Sequence, residues 1–573
     1  MTNSDLEAGY AADSYARVRG LSAVAMTYGP GTLSIVNAIA GAYVERSPIV
    51  VVNCGPSQTD IDNQNATGVL YSHSIGAPHT DMDIFRNITT FCDRANSASA
   101  ALPQLVDNAI AAALIRKHPV YIEIPREFLD KPCPRPVGAI DATVPAGAAD
   151  AAAVSILQEL AAAKNPLLIV GEEVQRYRLA DTVRTVLDRL QLKWATTLVA
   201  KTLLLESDPH FVGVFDSDKA PAPLQNLIRQ SGLIVALGAV FGVEQAHLMI
   251  QKVNTTIRAW DGVVVSRGGP PQAVGLPALV DALDRHSAGA SAVTYAPDVA
   301  DPPSDPPAPA GPELTYQQVF DVIAEPAVLD ESLTVIADTF LGMYPAAQMH
   351  MPVQDSFITC GLWASIGHSV GAAVGAFEGG RRPLVLIGDG GFQMIGQAVS
   401  TMVRHQHNSI VVIIANSLYG IEQYLLGRGF YTKAQPPLPY NVWQRGLELR
   451  CVRPGAQRHP SRHRHHGGRT ANSADHGKGA HDRAVGHLRA GRVPVPAHGP
   501  LDPSYRGVEE RRAIEGRNPE QRLGAVLSEA LDDVVGDDVG HRNARSGSVA
   551  IWAAWWCGTP HGCTPTGSRP WWG

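Results

Sequence analysis

The chain has 573 residues, of which 45% are hydrophobic and 18% charged, with 47 Lys and Arg against 54 Asp and Glu. A single core does not grow to this size, so two to four domains are expected. The net charge of −7 gives no electrostatic ground for a nucleic-acid partner, and no apolar run is long enough to read as a membrane span.

The seven cysteines are scattered and none forms a CxxC pair, which argues against a disulfide framework or a thiolate metal site. The first twenty residues have no basic segment leading into an apolar one, so they do not read as a secretory signal, and a cytoplasmic protein is expected.

In chain order, residues 7–19 read as an alanine-rich helix and 21–27 as a strand that ends at Gly29-Pro30-Gly31. Residues 32–45 read as a helix, 48–54 as a strand, 105–116 as a helix and 119–125 as a strand. Near-continuous apolar strands alternating with helices imply a mostly parallel sheet covered on both faces. A small-residue linker follows, then a second α/β region with strands at 165–173 and 232–242 and a strand and turn over 258–269.

The proline-rich stretch 301–312 reads as an extended connector. The third region has strands at 333–339, 381–392 and 408–416, with one helix running to about His405. It repeats the plan of the first region. The expected division is 1–137, 150–290 and 314–443, followed by an atypical tail, 444–573. That tail holds half of the 20 histidines and reads as disordered or as translated in a shifted frame, with one normal amphipathic helix at 520–535.

The strongest chemical signal lies in residues 388–422. Gly388-Asp389-Gly390 sits where a buried strand ends, and Asn416 ends the next apolar strand. Glycines let backbone approach a ligand, and the following helix start offers free N–H groups to a phosphate. Adjacent parallel strands bring their C-terminal ends to within about 5 Å. Asp389 and Asn416 could therefore give a carboxylate and an amide oxygen to one ion. Oxygen donors beside a diphosphate suit Mg²⁺.

These residues resemble the cofactor motif of the thiamine-diphosphate-dependent 2-oxo acid decarboxylases, the group acting on pyruvate, indolepyruvate and a broad range of keto acids. The resemblance covers roughly residues 4–443. It implies an α/β fold with a three-domain thiamine-diphosphate enzyme architecture of mostly parallel, helix-covered sheets: a pyrimidine-binding domain, a central domain and a diphosphate-binding domain. It implies thiamine diphosphate and Mg²⁺ as cofactors, with Asp389, Asn416 and the Leu418 carbonyl as metal ligands. Ala415 departs from the family's paired asparagines. Gly390 and Gly391 would line the diphosphate, Ile366 would prop the cofactor into its bent form, and Thr339 in DTFLG would contact the phosphate end.

The run AGYAADSYAR (8–17) matches the segment that follows the family's activating glutamate, whose place falls on Asp5, one methylene shorter. Misplacement of about 1 Å can cost about 100-fold. An N-cap role is the alternative for Asp5, and Glu7 is expected to point elsewhere. YSHSIG (71–76) corresponds to a family segment with paired histidines, so His73 is a candidate proton carrier while Ser72 replaces the first imidazole. Glu422 would protonate the product carbon after CO₂ leaves, if burial raises its pKa.

The resemblance further implies a small 2-oxo acid substrate, an aldehyde product, and a homodimer or homotetramer whose sites form between subunits. The family has some forty or more residues before the glutamate, so truncation of the first domain is expected. An acetolactate-synthase-like carboligase and a catalytically impaired relative are the alternatives.

Overall fold

A computed structural model describes residues 1–96, 101–129, 131–134, 140–216, 220–295, 315–326, 328–426 and 550–554. Three sheets organise them. The first has β1 (Ser22–Thr27), β2 (Ile49–Gly55), β3 (Cys92–Arg94) and β4 (Val120–Pro125) in the order β1-β2-β4-β3, all parallel.

The second sheet has seven strands: β5 (Leu167–Val170), β6 (Trp194–Thr197), β7 (Phe211–Phe215), β8 (Ile234–Leu237), β9 (Thr256–Trp260), β10 (Val263–Ser266) and β11 (Gln272–Ala273). Their order is β11-β10-β9-β8-β5-β6-β7. The pairs β9–β10 and β10–β11 are antiparallel. The stretch read as one strand and a turn is thus a hairpin about Asp261-Gly262, whose φ values of 51° and 74° suit the two-residue turn that Asp-Gly favours.

The third sheet has β12 (Leu333–Ala337), β13 (Phe357–Thr359), β14 (Arg382–Gly388), β15 (Ile410–Ala415) and β16 (Ala550–Ala554), ordered β13-β12-β14-β15-β16. It is parallel except for β16, which runs antiparallel beside β15. No strand was expected that far along the chain. The rest of the tail, including the helix expected at 520–535, and the 301–312 connector lie outside the described residues.

The sequence pattern explains the layering. Strands β12, β14 and β15 are apolar on both faces because both are covered. Val335, Leu384, Leu386 and Val412 pack on one side, and Ile336, Val385, Ile387 and Val411 on the other. Two expected helices are broken. The 32–45 helix is two pieces, Pro30–Ser34 and Val36–Val44, and the helix after β14 is Asp389–Ile395 followed by Ala398–Arg404.

The helix Asp5–Arg19 of the first region packs along the helix His368–Glu378 of the third. Small residues let the two backbones approach. A Cβ at Gly375 would lie 1.9 Å from the Ala11 carbonyl oxygen, and one at Gly371 would lie 2.8 Å from the Tyr10 Cβ. Polar groups fasten the seam: Ser14 Oγ donates to the Ala372 carbonyl at 2.5 Å, and buried Asp13 meets His368 Nε2 at 2.7 Å.

Candidate functional site

Strands β14 and β15 pair in register, with Gly388 opposite Ile414. Asp389 and Asn416 therefore emerge at the same C-terminal edge of the sheet. Asp389 is the first residue of its helix and is only 8% exposed. Its Oδ1 accepts from Gly390 N at 3.0 Å and its Oδ2 from Ser417 N at 2.7 Å. The second bond joins the two strand-end loops.

Ser417 adopts φ 58°, left-handed for a non-glycine residue. Such a conformation carries a cost and is concentrated at functional turns. Asn416 Oδ1 accepts from Leu418 N at 3.1 Å, and the Leu418 carbonyl accepts from Gly420 N at 2.9 Å. Each of these oxygens keeps a lone pair.

The neighbouring strand end is organised by Asp338, which the sequence reading did not single out. Its carboxylate is fully buried and accepts from Gly367 N (3.0 Å), Ser369 N (3.0 Å) and Ser369 Oγ (2.7 Å), so it caps the 368–378 helix. Burial raises its pKa, and these hydrogen bonds oppose the rise. A Cβ at Gly391 would stand 2.8 Å from Asp338 Oδ1, so the second glycine after Asp389 is fixed by this packing. Thr339, next along, is buried and donates to the Cys360 carbonyl at 3.2 Å.

Ile366 is half-buried between two tethered residues. Ser365 before it shares a 2.7 Å hydrogen bond with Tyr10 and accepts one from Asn37, and Gly367 after it is held by Asp338. The stretch ahead of it hangs on buried Glu45. Glu45 Oε1 accepts from Leu362 N (2.8 Å) and Trp363 N (3.1 Å), while Oε2 pairs with Arg17 at 2.6 Å. Arg17 is also paired with Asp13 at 2.8 Å. The i,i+4 spacing of Asp13 and Arg17 was the one sequence signal for this network.

The candidates of the first region gather about the turn after β1. Gly29 has φ 71°, and its N–H is held by buried Asp81 at 2.8 Å. Asp5 lies on one side, since a Cβ at Gly31 would be 3.9 Å from its Oδ1. His73 lies on the other, where a Cβ at Gly29 would be 2.7 Å from the His73 Cβ. His73 is exposed and its Nδ1–H donates to the Tyr28 carbonyl at 3.2 Å, which leaves Nε2 as the free nitrogen.

Asp5 is not the N-cap. Ser4 takes that place, with its Oγ accepting from Glu7 N at 3.3 Å, because Asp5 already has helical backbone. Glu7 is fully buried. Its Oε2 accepts from Asn3 N, and its Oε1 has no partner. Glu422 occupies the first turn of the helix Gly420–Leu426 and is exposed, so the described residues do not supply the burial expected for it. Among the described residues no hydrogen bond or ion pair joins Asp5 or His73 to Asp389, Asn416 or Glu422.

The donor set suits a diphosphate-bound Mg²⁺. One carboxylate, one amide oxygen and one carbonyl leave octahedral positions and positive charge for phosphate oxygens to complete. No cluster of three or more His, Cys, Asp or Glu side chains poised for a metal occurs among the described residues. Also among the described residues, no helix is long and apolar enough to cross a membrane.

Comparison with known proteins agrees with this geometry. Residues 1–78 match the N-terminal TPP binding domain of thiamine pyrophosphate enzymes, residues 154–257 the central domain, and residues 341–440 the C-terminal TPP binding domain. The fold is therefore that of a thiamine pyrophosphate enzyme, which implies thiamine diphosphate as cofactor. The chain is similar to a pyruvate decarboxylase of Aspergillus fumigatus, 30% identical over 444 residues, covering 74% of this chain and 76% of the relative. It is also similar to an alpha-keto-acid decarboxylase of Mycolicibacterium paratuberculosis, 29% identical over 446 residues and covering 74% and 76%. A third relative, an indole-3-pyruvate decarboxylase of Azospirillum brasilense, is 30% identical over 431 residues, covering 71% and 74%. The chain belongs to the thiamine-diphosphate-dependent 2-oxo-acid decarboxylase family.

Proposed function

We propose that this protein binds thiamine diphosphate with Mg²⁺ and converts a 2-oxo acid of the pyruvate, branched-chain or aromatic type to an aldehyde and CO₂ in the cytoplasm. The observation that carries the reading is the placement of Asp389 and Asn416 just past the ends of the paired parallel strands β14 and β15, with their loops tied by the Ser417–Asp389 hydrogen bond. Asp389, Asn416 and the Leu418 carbonyl would hold the metal. Gly390 and Gly391 would present backbone to the diphosphate, with Thr339 at its rim and Ile366 under its bend. When bound, thiamine diphosphate would supply the carbanion chemistry and the electron sink that decarboxylation of a 2-oxo acid needs.

The chain's own groups would manage protons and orientation. Asp5 would hold the proton on the aminopyrimidine ring. His73, with Nε2 free, would hydrogen-bond the substrate carboxylate or carry a proton, and Glu422 would deliver the proton that completes the aldehyde. No hydrogen bond or ion pair among the described residues joins Asp5 or His73 to Asp389, and on this reading their partner would be the diphosphate side of a second copy in a homodimer or homotetramer. Substrate closing over the exposed Glu422 would then provide its burial.

Calorimetric titration with thiamine diphosphate and Mg²⁺, followed by product analysis with pyruvate, 4-methyl-2-oxopentanoate and phenylpyruvate, tests the reading. Saturable, Mg²⁺-dependent binding and aldehyde from at least one acid are expected. Absence of binding removes the cofactor assignment. Binding without aldehyde assigns the impaired-relative reading, which the shorter Asp5 and the Ser72 replacement favour. Acetohydroxy acid as the main product assigns the carboligase.

A further inference from the structure

A cavity of about 420 Å³ opens where the three regions meet, away from the site described above. Its walls come from the helix Asp5–Arg19, the turn after the helix Glu172–Arg176, the loop after β6, and the approaches to β13 and β14. Phe357, Ile358, Val199 and Leu203 give it an apolar side. Arg17, Arg176, Arg178 and Arg381 give it a basic one.

Arg176 is the decisive residue. It is 5% exposed, and its guanidinium is held by the Arg46 carbonyl (3.1 Å), the Glu45 carbonyl (3.3 Å) and the Gln175 amide oxygen. No carboxylate among the described residues lies within ion-pairing distance of it. Burial and the nearby Arg17 charge push its pKa down to about 10, against the more distant carboxylates of Asp13, Glu172 and Glu45. Asp13, Glu172 and Glu45 act on this guanidinium only from beyond ion-pairing distance, so its direct partners are neutral oxygens, and an anion in the cavity would give it a contact charge. The guanidinium has five N–H donors, and the three contacts above leave two for a ligand.

The other charges around the cavity leave the basic excess in place. Arg17 is neutralised behind the wall by Asp13 and Glu45. Asp181 is paired with Arg184 at 2.7 Å, and Asp355, hydrogen-bonded by Gln175 Nε2 at 2.6 Å, keeps one negative charge on the wall against Arg176, Arg178 and Arg381. Arg178 adopts φ 58°, and its Nη2 donates to the Arg19 carbonyl at 2.8 Å, which sets the guanidinium at the cavity rim beside Gly20. The Arg381 side chain makes no hydrogen bond or ion pair among the described residues.

We propose that this cavity is a binding site for a small organic dianion, a phosphate monoester or a dicarboxylate, whose oxygens are taken by Arg176, Arg178 and Arg381 while its carbon portion rests on Phe357 and Leu203. Forked guanidinium donors match carboxylate and phosphate oxygens. Because the walls belong to three regions, an occupant ties them together and stabilises their assembly.

The test uses the full chain saturated with thiamine diphosphate and Mg²⁺, with inorganic phosphate and succinate as probes, read by calorimetry and thermal unfolding at constant ionic strength. A saturable rise in Tm with at least one probe is expected, weakened at least tenfold in affinity by Arg178→Ala and by Arg381→Gln. Response to phosphate alone identifies a phosphate monoester, to succinate alone a dicarboxylate, and to both the shared dianion chemistry. Lack of a saturable response to either probe, or responses unchanged in both variants, overturns the proposal. An Asp389→Ala chain serves as control. A response that survives there places the anion in the three-region cavity, whereas one that disappears places it at the diphosphate loop and overturns the proposal. Arg178 is exposed and Arg381 only partly buried, and retained circular dichroism confirms that both variants fold.

Discussion

Replacing Glu45 by alanine removes the acceptor of three separate donors: Arg17 Nη2, Leu362 N and Trp363 N. Breaking a buried ion pair from one side costs about 3–5 kcal/mol, while the two released N–H groups belong to the partly exposed Leu362 and the exposed Trp363 and can turn to water. Asp13 still faces Arg17 at 2.8 Å, which holds the loss toward the lower figure for the pair. At about 2–4 °C per kcal/mol for a large domain, a loss of about 3–5 kcal/mol lowers Tm by about 6–20 °C. Glu45→Gln keeps one acceptor oxygen and is expected to lose less. The released backbone leads directly into Ser365 and Ile366, so thiamine diphosphate affinity falls along with Tm, while the Asp389–Ser417 link is untouched. Differential scanning calorimetry with and without cofactor measures both effects. A Glu45→Ala chain melting within about 2 °C of the parent would show that the network carries no weight, and the account of the 360–366 segment would fail with it.

Asp389→Ala is expected to abolish Mg²⁺-dependent cofactor binding by calorimetry while leaving the far-ultraviolet circular dichroism unchanged. Gly391→Ala places a Cβ 2.8 Å from Asp338 Oδ1 and should destabilise by about 1–3 kcal/mol in denaturant titration. Asp5→Glu restores the missing methylene and should raise aldehyde production by up to about 100-fold, with no rise in Mg²⁺ affinity. Burial pushes the Glu172 pKa up to about 7, against hydrogen bonds from Val240 N and Thr197. Between the ordinary carboxylate value and about 7 the folded chain holds a proton that the unfolded chain has lost, so this contribution to stability is present at low pH and disappears as pH rises through that window. Glu172→Gln should flatten the corresponding slope, measured as the difference between parent and variant denaturation midpoints at pH 5 and pH 8.

The order of elements was legible because apolar runs such as 381–392 and 408–416 are long, uniform and bounded by glycine or asparagine. Hydrophobic pattern reports that a strand is covered on both faces, and it did so for β12, β14 and β15. It does not report where a helix breaks. Ile35 and Gly396 interrupt two helices whose apolar periodicity runs on through them. The Asp-Gly turn at 261–262 was present in the sequence but lay inside a single apolar run, so β9 and β10 merged. At the site, local motifs carried Asp389, Asn416 and Thr339. Asp338 and Glu45 escaped because their partners, Ser369 and Leu362, are 31 and 317 residues away, and one chain's local pattern holds no record of such pairings. Ser4 displaced Asp5 as the cap because two polar residues in succession leave the boundary ambiguous by one position.

The seam between the first helix and the 368–378 helix bears on how the molecule can move. Where glycine faces a carbonyl at van der Waals closeness, sliding by even part of a turn would drive side chains into backbone, so this junction behaves as a weld and not as a bearing. Motion in a reaction cycle is then expected in lighter attachments, such as the loop carrying His73 with exposed Val69, Leu70 and Ile75 and the turn from Asn416 into the helix bearing Glu422. Engineering for altered substrates can therefore leave the weld alone and vary these two flaps, whereas a bulkier residue at Gly371 or Gly375 would alter everything at once.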